Sequence, residues 1–215
     1  MILPRAYTKQ AGKSWKSVLS SVLLLSGGLD SIALAAWKNP EYGLTINYGQ
    51  IAAEAEIKAA AQVCSLLGIK HAVIDMDLSI LGSGLMHGDG ARSHSENAEF
   101  WPYRNQLLIT VASMFALKHG CKDVLIGTVV TDQRHLDGSE KFLDYINKLV
   151  AYQEGAVSVS APAKSLTTAD LINKSKVPFE VLSWGHSCHT SNLACGQCPG
   201  CIKHSEVMLE LGVER

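Results

Sequence analysis

The chain is 215 residues long, 47% hydrophobic and 18% charged, which excludes wholesale disorder and leaves room for one ordinary domain with a small appendage. Lys and Arg number 19 against 20 Asp and Glu, a formal charge of -1, so no global field draws the chain to nucleic acid or an anionic membrane. Aromatic residues make up 7%, too few for a base-stacking groove, and a small polar ligand in a local site is the expectation.

In chain order, short apolar runs alternate with helical stretches. Residues 21–25 form a continuous apolar run ended by Ser26-Gly27-Gly28, the pattern of a buried strand. A helix is predicted over 29–37, stopped by Asn39-Pro40, then a strand over 43–47 and an alanine-rich helix over 51–67 closed by Gly68. A third strand follows at 71–76. Residues 77–100 are rich in Gly, His and Ser and read as a long surface loop or lid. The helix predicted over 101–119 has Pro102 in its first turn and Gly120 past its end. Next come a strand at 123–127 and a helix over 137–153 with Phe142, Ile146, Leu149 and Val150 on one face. A strand at 157–160, a helix over 167–176 and a closing helix over 202–211 complete the pattern.

This alternation predicts an α/β fold, a mostly parallel doubly wound sheet whose ligands sit beyond the carboxyl ends of the strands. The expected division is a nucleotide domain over 1–182 and a metal-bound lobe over 183–215. The run 22–25 is too short to span a bilayer and no leader stands out before it, so a cytoplasmic protein without a membrane partner is expected.

Ser26-Gly27-Gly28-Leu29-Asp30-Ser31 joins the first strand to the first helix. Adjacent glycines let successive N–H groups converge, and the positive end of the following helix aims at the same point, making an anion site. Ser26 and Ser31 add hydroxyls, while Asp30 can organise magnesium or hold the loop. The spacing matches neither the lysine-bearing P-loop nor GxGxxG. An ordinary glycine turn is the bland alternative.

Cys188, Cys195, Cys198 and Cys201 place four thiols within fourteen positions, with Gly196 and Gly200 permitting tight knuckles. This clustering fits a closed tetrahedral zinc site of structural role, with an iron–sulfur cluster or free thiols as alternatives. His186, His189 and His204 lie nearby and could compete as ligands, but with four cysteines present they are expected to support the sulfur ligands or face the substrate.

The loop resembles the pyrophosphate loop of the ATP-pyrophosphatase (PP-loop) superfamily, whose members split ATP into AMP and pyrophosphate to adenylate a carbonyl oxygen. Loop and knuckle together resemble the 7-cyano-7-deazaguanine synthase family over most of the chain. Asn47-Tyr48-Gly49-Gln50, Phe100 with Arg104-Asn105, Gly127 with Thr131-Asp132, and Cys195-Gly196-Gln197-Cys198-Pro199-Gly200-Cys201 extend the likeness.

The resemblance implies a Rossmann-like, adenine nucleotide alpha hydrolase fold, with ATP, Mg2+ and Zn2+ as cofactors and 7-carboxy-7-deazaguanine as substrate. It implies that Ser26, Gly27, Gly28, Leu29, Asp30 and Ser31 hold ATP, with Tyr48 and Gln50 near the nucleotide. Asp30, Ser31 and Arg104 would be catalytic. Phe100, Arg104, Asn105, Asp132, His135 and His189 would face the substrate. A core role for Tyr48 and a surface salt bridge for Arg104 are the alternatives.

Departures gather on the acceptor side. Ile51-Ala52 replaces basic and imidazole residues, Gln133 to Ser139 replaces a family stretch, and His189 replaces tyrosine. Thr168 stands where the family carries a lysine, with Lys164 nearby. Trp101 and Tyr103 add bulk where the family has smaller residues. This pattern resembles a branch in antiphage operons that joins a deazaguanine amide to the N-terminal amine of an operon-encoded partner protein. Ammonia is the acceptor in the housekeeping alternative, and a homodimer is compatible with either. A tRNA-thiolating relative would want a reactive cysteine and a basic surface, which Cys64, Cys121 and the charge balance do not offer. A nucleotide-sensing zinc module is the non-enzymatic alternative.

Overall fold

Successive residues of the first strand feed two different cores, because side chains alternate across a sheet. Val22 packs with Leu44, Ile46, Ile109 and Ile146 on one face. Leu23 and Leu25 pack with Ile32, Leu34, Val63 and Leu171 on the other. The computed structural model describes residues 20–88, 95 and 97–213.

The strands are β1 (Ser21–Leu24), β2 (Tyr42–Asn47), β3 (Lys70–Asp75), β4 (Asp123–Leu125) and β5 (Ser158–Ser160). They form one parallel sheet in the order β3-β2-β1-β4-β5. Five helices pack on the Leu23 face: α1 (Leu29–Lys38), α2 (Ala53–Leu67), α5 (Thr168–Ser175), α6 (Phe179–Leu182) and α7 (Pro199–Glu210). Two, α3 (Arg104–Lys118) and α4 (Glu140–Ala151), cover the other face. This is the doubly wound, Rossmann-like α/β fold expected from the sequence. The chain grows outward from β1 to β3, then returns to place β4 on the opposite side of β1. That reversal opens a crevice beyond the ends of β1 and β4, where such sheets bind ligands.

Several boundaries differ from expectation for identifiable reasons. The helix predicted from 101 begins at Arg104, because Trp101 turns inward to meet the Tyr48 ring edge-on at 4.9 Å. Tyr103, at φ 53, makes the left-handed step between them. The helix predicted from 137 begins at Glu140, where the Ser139 hydroxyl accepts from the Phe142 N–H at 3.2 Å. Its inward face is Leu143, Ile146 and Val150, whereas Leu149 is 54% exposed. The closing helix starts at Pro199 instead of 202, since the Cys198 sulfur caps it by accepting from the Cys201 N–H. The short α6 was not predicted.

The loop expected over 77–100 contains a 3-10 turn at Ser79–Leu81, and its residues 89–94 and 96 lie outside the described residues. Residues 1–19 lie outside them too. Among the described residues, no helix is long and apolar enough to cross a membrane.

Candidate functional site

The glycine loop leaves β1 toward the crevice. Gly27 has φ 77, and a Cβ there would lie 2.8 Å from Ala59 Cβ and 3.0 Å from the Glu56 carbonyl oxygen of α2. Only glycine lets the loop pass this close to α2. Gly28 is the N-cap of α1 and no side chain caps that terminus. The Ser31 hydroxyl donates to the Gly28 carbonyl at 2.9 Å, and Ser26 Oγ accepts from the Gly28 N–H at 3.4 Å. The first turn of α1 therefore presents its positive end to the crevice. Across it, Gly127, two residues past the end of β4, lies in contact range of α1: a Cβ there would lie 3.4 Å from Ser31 Cα.

The crevice widens into an open cleft of about 320 Å³, within the usual size of a small-molecule site. Its loop end is ionic. Asp30 Oδ2 accepts from the Lys203 ammonium at 2.9 Å, and Asp132 Oδ1 accepts from the same nitrogen at 3.2 Å. Asp132 Oδ2 also takes the Val129 N–H, which holds its carboxylate in place. Burial pushes the Asp30 pKa up, against the opposing pull of Lys203 and the Thr168 hydroxyl. Neither Asp30 Oδ1 nor Thr168 Oγ1 completes a hydrogen bond among the described residues. Burial also opposes the charge on Lys203, but the two aspartates outweigh it and hold its pKa above the usual value.

The far wall carries Tyr48, Glu56, Met86 and Arg104. Tyr48 is 4% exposed, and burial drives its pKa upward despite the nearby Arg104 guanidinium. Arg104 donates to the Met86 sulfur at 2.9 Å. Gln50 stands behind this wall and does not line the cleft. Its side chain accepts from the Tyr48 N–H at 2.9 Å and donates to the Ile46 carbonyl and the Glu56 carboxylate. Gln50 thus braces the turn that carries Tyr48.

Desolvation pushes the Glu56 carboxyl up to about 7 from an ordinary 4.5, with Gln50 and Arg104 pulling the other way. A folded-state pKa raised above the unfolded value stabilises the fold fully below pH 4.5 and loses that contribution as pH rises to about 7. Denaturant titrations across this window should show a decline of up to about 3 kcal/mol in the native protein. Asp30, whose pKa burial also raises, adds a decline of the same sign, so Glu56→Gln is expected to shrink the decline, and an unchanged pH profile would count against a buried, protonated Glu56.

Other expected substrate residues divide. Asn105 lines the cleft, but its amide donates to the Asp137 carbonyl at 2.9 Å and its N–H to the Asp137 carboxylate. His135 lines it with Nε2 3.3 Å from Glu99 Oε1, both side chains nearly enclosed. Phe100 does not line the cleft, and neither does Gly27, which turns the loop beneath it. The sequence reading missed Lys203, Glu56 and Glu99. Their only local signal is charge on helix or loop positions that read as solvated. Lys164, noted near Thr168, pairs with Glu140 on the surface, so the ammonium facing Asp30 is that of Lys203.

The tail closes over the loop. The His186 N–H donates to the Gly27 carbonyl at 2.9 Å, and His186 Nε2 donates to the Ser191 carbonyl at 3.1 Å. Ser187 Oγ lies 3.0 Å from His204 Nδ1. Beside them, the sulfurs of Cys188, Cys195, Cys198 and Cys201 all lie within 4.8 Å of one another. The Cys195–Cys201 and Cys188–Cys198 separations are 3.9 and 4.0 Å. One tetrahedral ion with bonds of about 2.3 Å spaces its sulfurs by roughly 3.8 Å, so the four residues fit such an ion. A disulfide would require about 2.05 Å. N–H groups of His189, Cys198 and Cys201 point at the sulfurs of this cluster, which favours thiolates. The Thr190 hydroxyl and the Gln197 and Cys198 N–H groups lower the Cys195 pKa to about 6. His189 lines the cleft, and the metal-binding group among the described residues contains no histidine.

The profile of the queuosine biosynthesis protein QueC matches residues 20–212, nearly the whole chain and both the loop and the knuckle. This chain belongs to the QueC family. As a QueC-family protein it is an ATP-dependent enzyme of the PP-loop superfamily. The 7-cyano-7-deazaguanine synthase of Methanocaldococcus jannaschii is 29% identical, covering 91% of this chain and 97% of the relative. That of Desulforudis audaxviator is 32% identical, covering 85% and 93%. Among solved structures, the U34-tRNA thiolase NcsA from Methanococcus maripaludis, with its 4Fe-4S cluster, has a TM-score of 0.52 at 18% identity. That likeness covers 89% of the QueC-family chain and 64% of the thiolase, and bears on the fold alone.

Proposed function

We propose that this chain adenylates 7-carboxy-7-deazaguanine with ATP and passes the activated acyl group to the N-terminal amine of a partner protein in antiviral defence. The observation that carries the adenylation is the uncapped α1 terminus behind Ser26-Gly27-Gly28, opening at the point where the strand order reverses. In the first step a substrate carboxylate oxygen attacks the α-phosphorus. The bond from that phosphorus to the bridging oxygen breaks, and pyrophosphate leaves with the electron pair into the donors of Ser26 to Ser31. In the second step the amine nitrogen attacks the acyl carbon, AMP leaves, and the nitrogen gives up a proton. His135 and His189 line the cleft where that proton would be taken.

Among the described residues, the cleft wall holds the carboxylates Asp30, Glu99 and Asp132, beside a Glu56 whose pKa burial raises to about 7, against the permanent cations Arg104 and Lys203. ATP adds further negative charge, so Mg2+ would supply the missing neutralisation, with Asp30 and Asp132 placed to hold it. The four sulfurs are too close together for a cubane cluster, which supports Zn2+ as a closed structural ion. On this reading residues 1–182 carry the chemistry and 183–215 close over it. A cytoplasmic, reducing location suits the four thiolates. No nucleic-acid or membrane partner enters this reaction, and a homodimer remains compatible with it.

The departures at Thr168, His189 and 133–139 support a changed acceptor. A second reading, ammonia as acceptor and the nitrile as final product, is supported by the near full-length likeness to the archaeal synthases. Protein, ATP, magnesium and 7-carboxy-7-deazaguanine should release pyrophosphate, with AMP following once an amine acceptor is added, and no pyrophosphate release with authentic substrate would overturn the adenylation. A mass gain at the partner's N-terminus supports conjugation; nitrile formation with ammonia alone supports the second reading.

A further inference from the structure

We infer that Lys203 is a phosphate-contacting catalytic residue delivered by the knuckle helix, so that the four-cysteine site governs the nucleotide site as well as the fold of its own lobe. The inference rests on the ATP-dependent adenylation proposed above. Lys203 lies on α7, two residues beyond Cys201, and its ammonium reaches the cleft between Asp30 and Asp132. Asp30 belongs to the first turn of α1, so the ammonium stands at the mouth of the loop whose N–H groups form the anion site.

The placement of α7 leaves little freedom. A Cβ on Gly200 would fall 1.9 Å from the Ser187 carbonyl oxygen, so the helix backbone lies directly on the segment that clamps the loop. The start of α7 is capped by Cys198, itself one of the four sulfur donors. Anything that loosens the sulfur cluster therefore shifts the Cα from which Lys203 reaches. The other permanent cation of the cleft among the described residues, Arg104, is engaged on the far wall by Met86. Lys203, held between Asp30 and Asp132, is the cation placed at the loop end of the cleft, where the phosphates would leave. Thr168, on α5, faces the same Asp30 carboxylate with a hydroxyl and contributes no charge there.

As the α-phosphorus–oxygen bond breaks, negative charge grows on the departing pyrophosphate. An ammonium at the loop mouth meets that charge without any proton transfer. A helix-to-loop salt bridge of purely structural purpose would leave phosphate affinity untouched.

The probe is inorganic pyrophosphate with magnesium, titrated calorimetrically into the full chain, which requires no acyl acceptor. Lys203→Met should weaken pyrophosphate binding by about tenfold or more, and Lys203→Arg should recover most of it. The melting temperature of each variant separates lost contact from lost fold. Cys195→Ser, with metal content measured, should weaken pyrophosphate as much as Lys203→Met, and the double variant should be no weaker than either single. Unchanged affinity in a folded Lys203→Met protein would overturn the contact; additive losses in the double variant would overturn its control by the sulfur site. Inactivity of the native protein toward 7-carboxy-7-deazaguanine would overturn the proposed reaction while leaving both of these readouts intact.

Discussion

Asp30→Asn is expected to slow adenylation by about 100-fold or more while leaving the melting temperature equal or slightly raised. The two halves of this expectation have separate causes. Asp30 sits in the first turn of α1, where its carboxylate orders the Lys203 ammonium beside the loop. Asparagine keeps the shape and loses the charge that orders the cation and would hold magnesium. Burial raises the Asp30 pKa, so ionising this group costs the fold stability, of which Lys203 and the Thr168 hydroxyl return a part. Removing that charge relieves the cost. Pyrophosphate release and thermal melts on the same preparation test both halves. Near-normal turnover would mean that phosphates are held elsewhere, and a large drop in melting temperature would mean that the Lys203 pairing outweighs burial.

Cys195→Ser should reduce bound metal from one ion per chain to almost none and destabilise the protein by on the order of 3 kcal/mol or more. Cys195 is the least buried of the four sulfurs, so the loss reports ligation more than packing. The sheet should survive, because Val207 and Met208 of α7 are buried in the core shared with Leu29 and Leu182. Hydrogen exchange should rise around 186–204, where the tail clamps Gly27. A metal-free variant with unaltered stability and exchange would remove the structural role of the site.

The sequence by itself determined the strand–helix alternation, the loop and the knuckle. All three are local patterns: apolar periodicity selects strand or helix, and paired glycines or cysteines at short spacing make their turn or site from neighbouring residues. It also carried the family likeness, since those motifs span most of the chain. Tertiary structure decided what the cleft contains. Lys203 and Asp30 are 173 residues apart, and Glu99 and His135 are 36 apart; no period or spacing links either pair. Gln50 and Asn105 are polar residues in motif positions, but packing turned their amides to backbone partners at Ile46 and Asp137. Trp101 could have continued a helix, yet burying its ring against Tyr48 outweighed another helical turn. Local hydrogen bonding and periodicity can be read along a chain. Which charges meet in a cleft depends on how distant elements dock, and that is set by the two cores and the four-cysteine segment together.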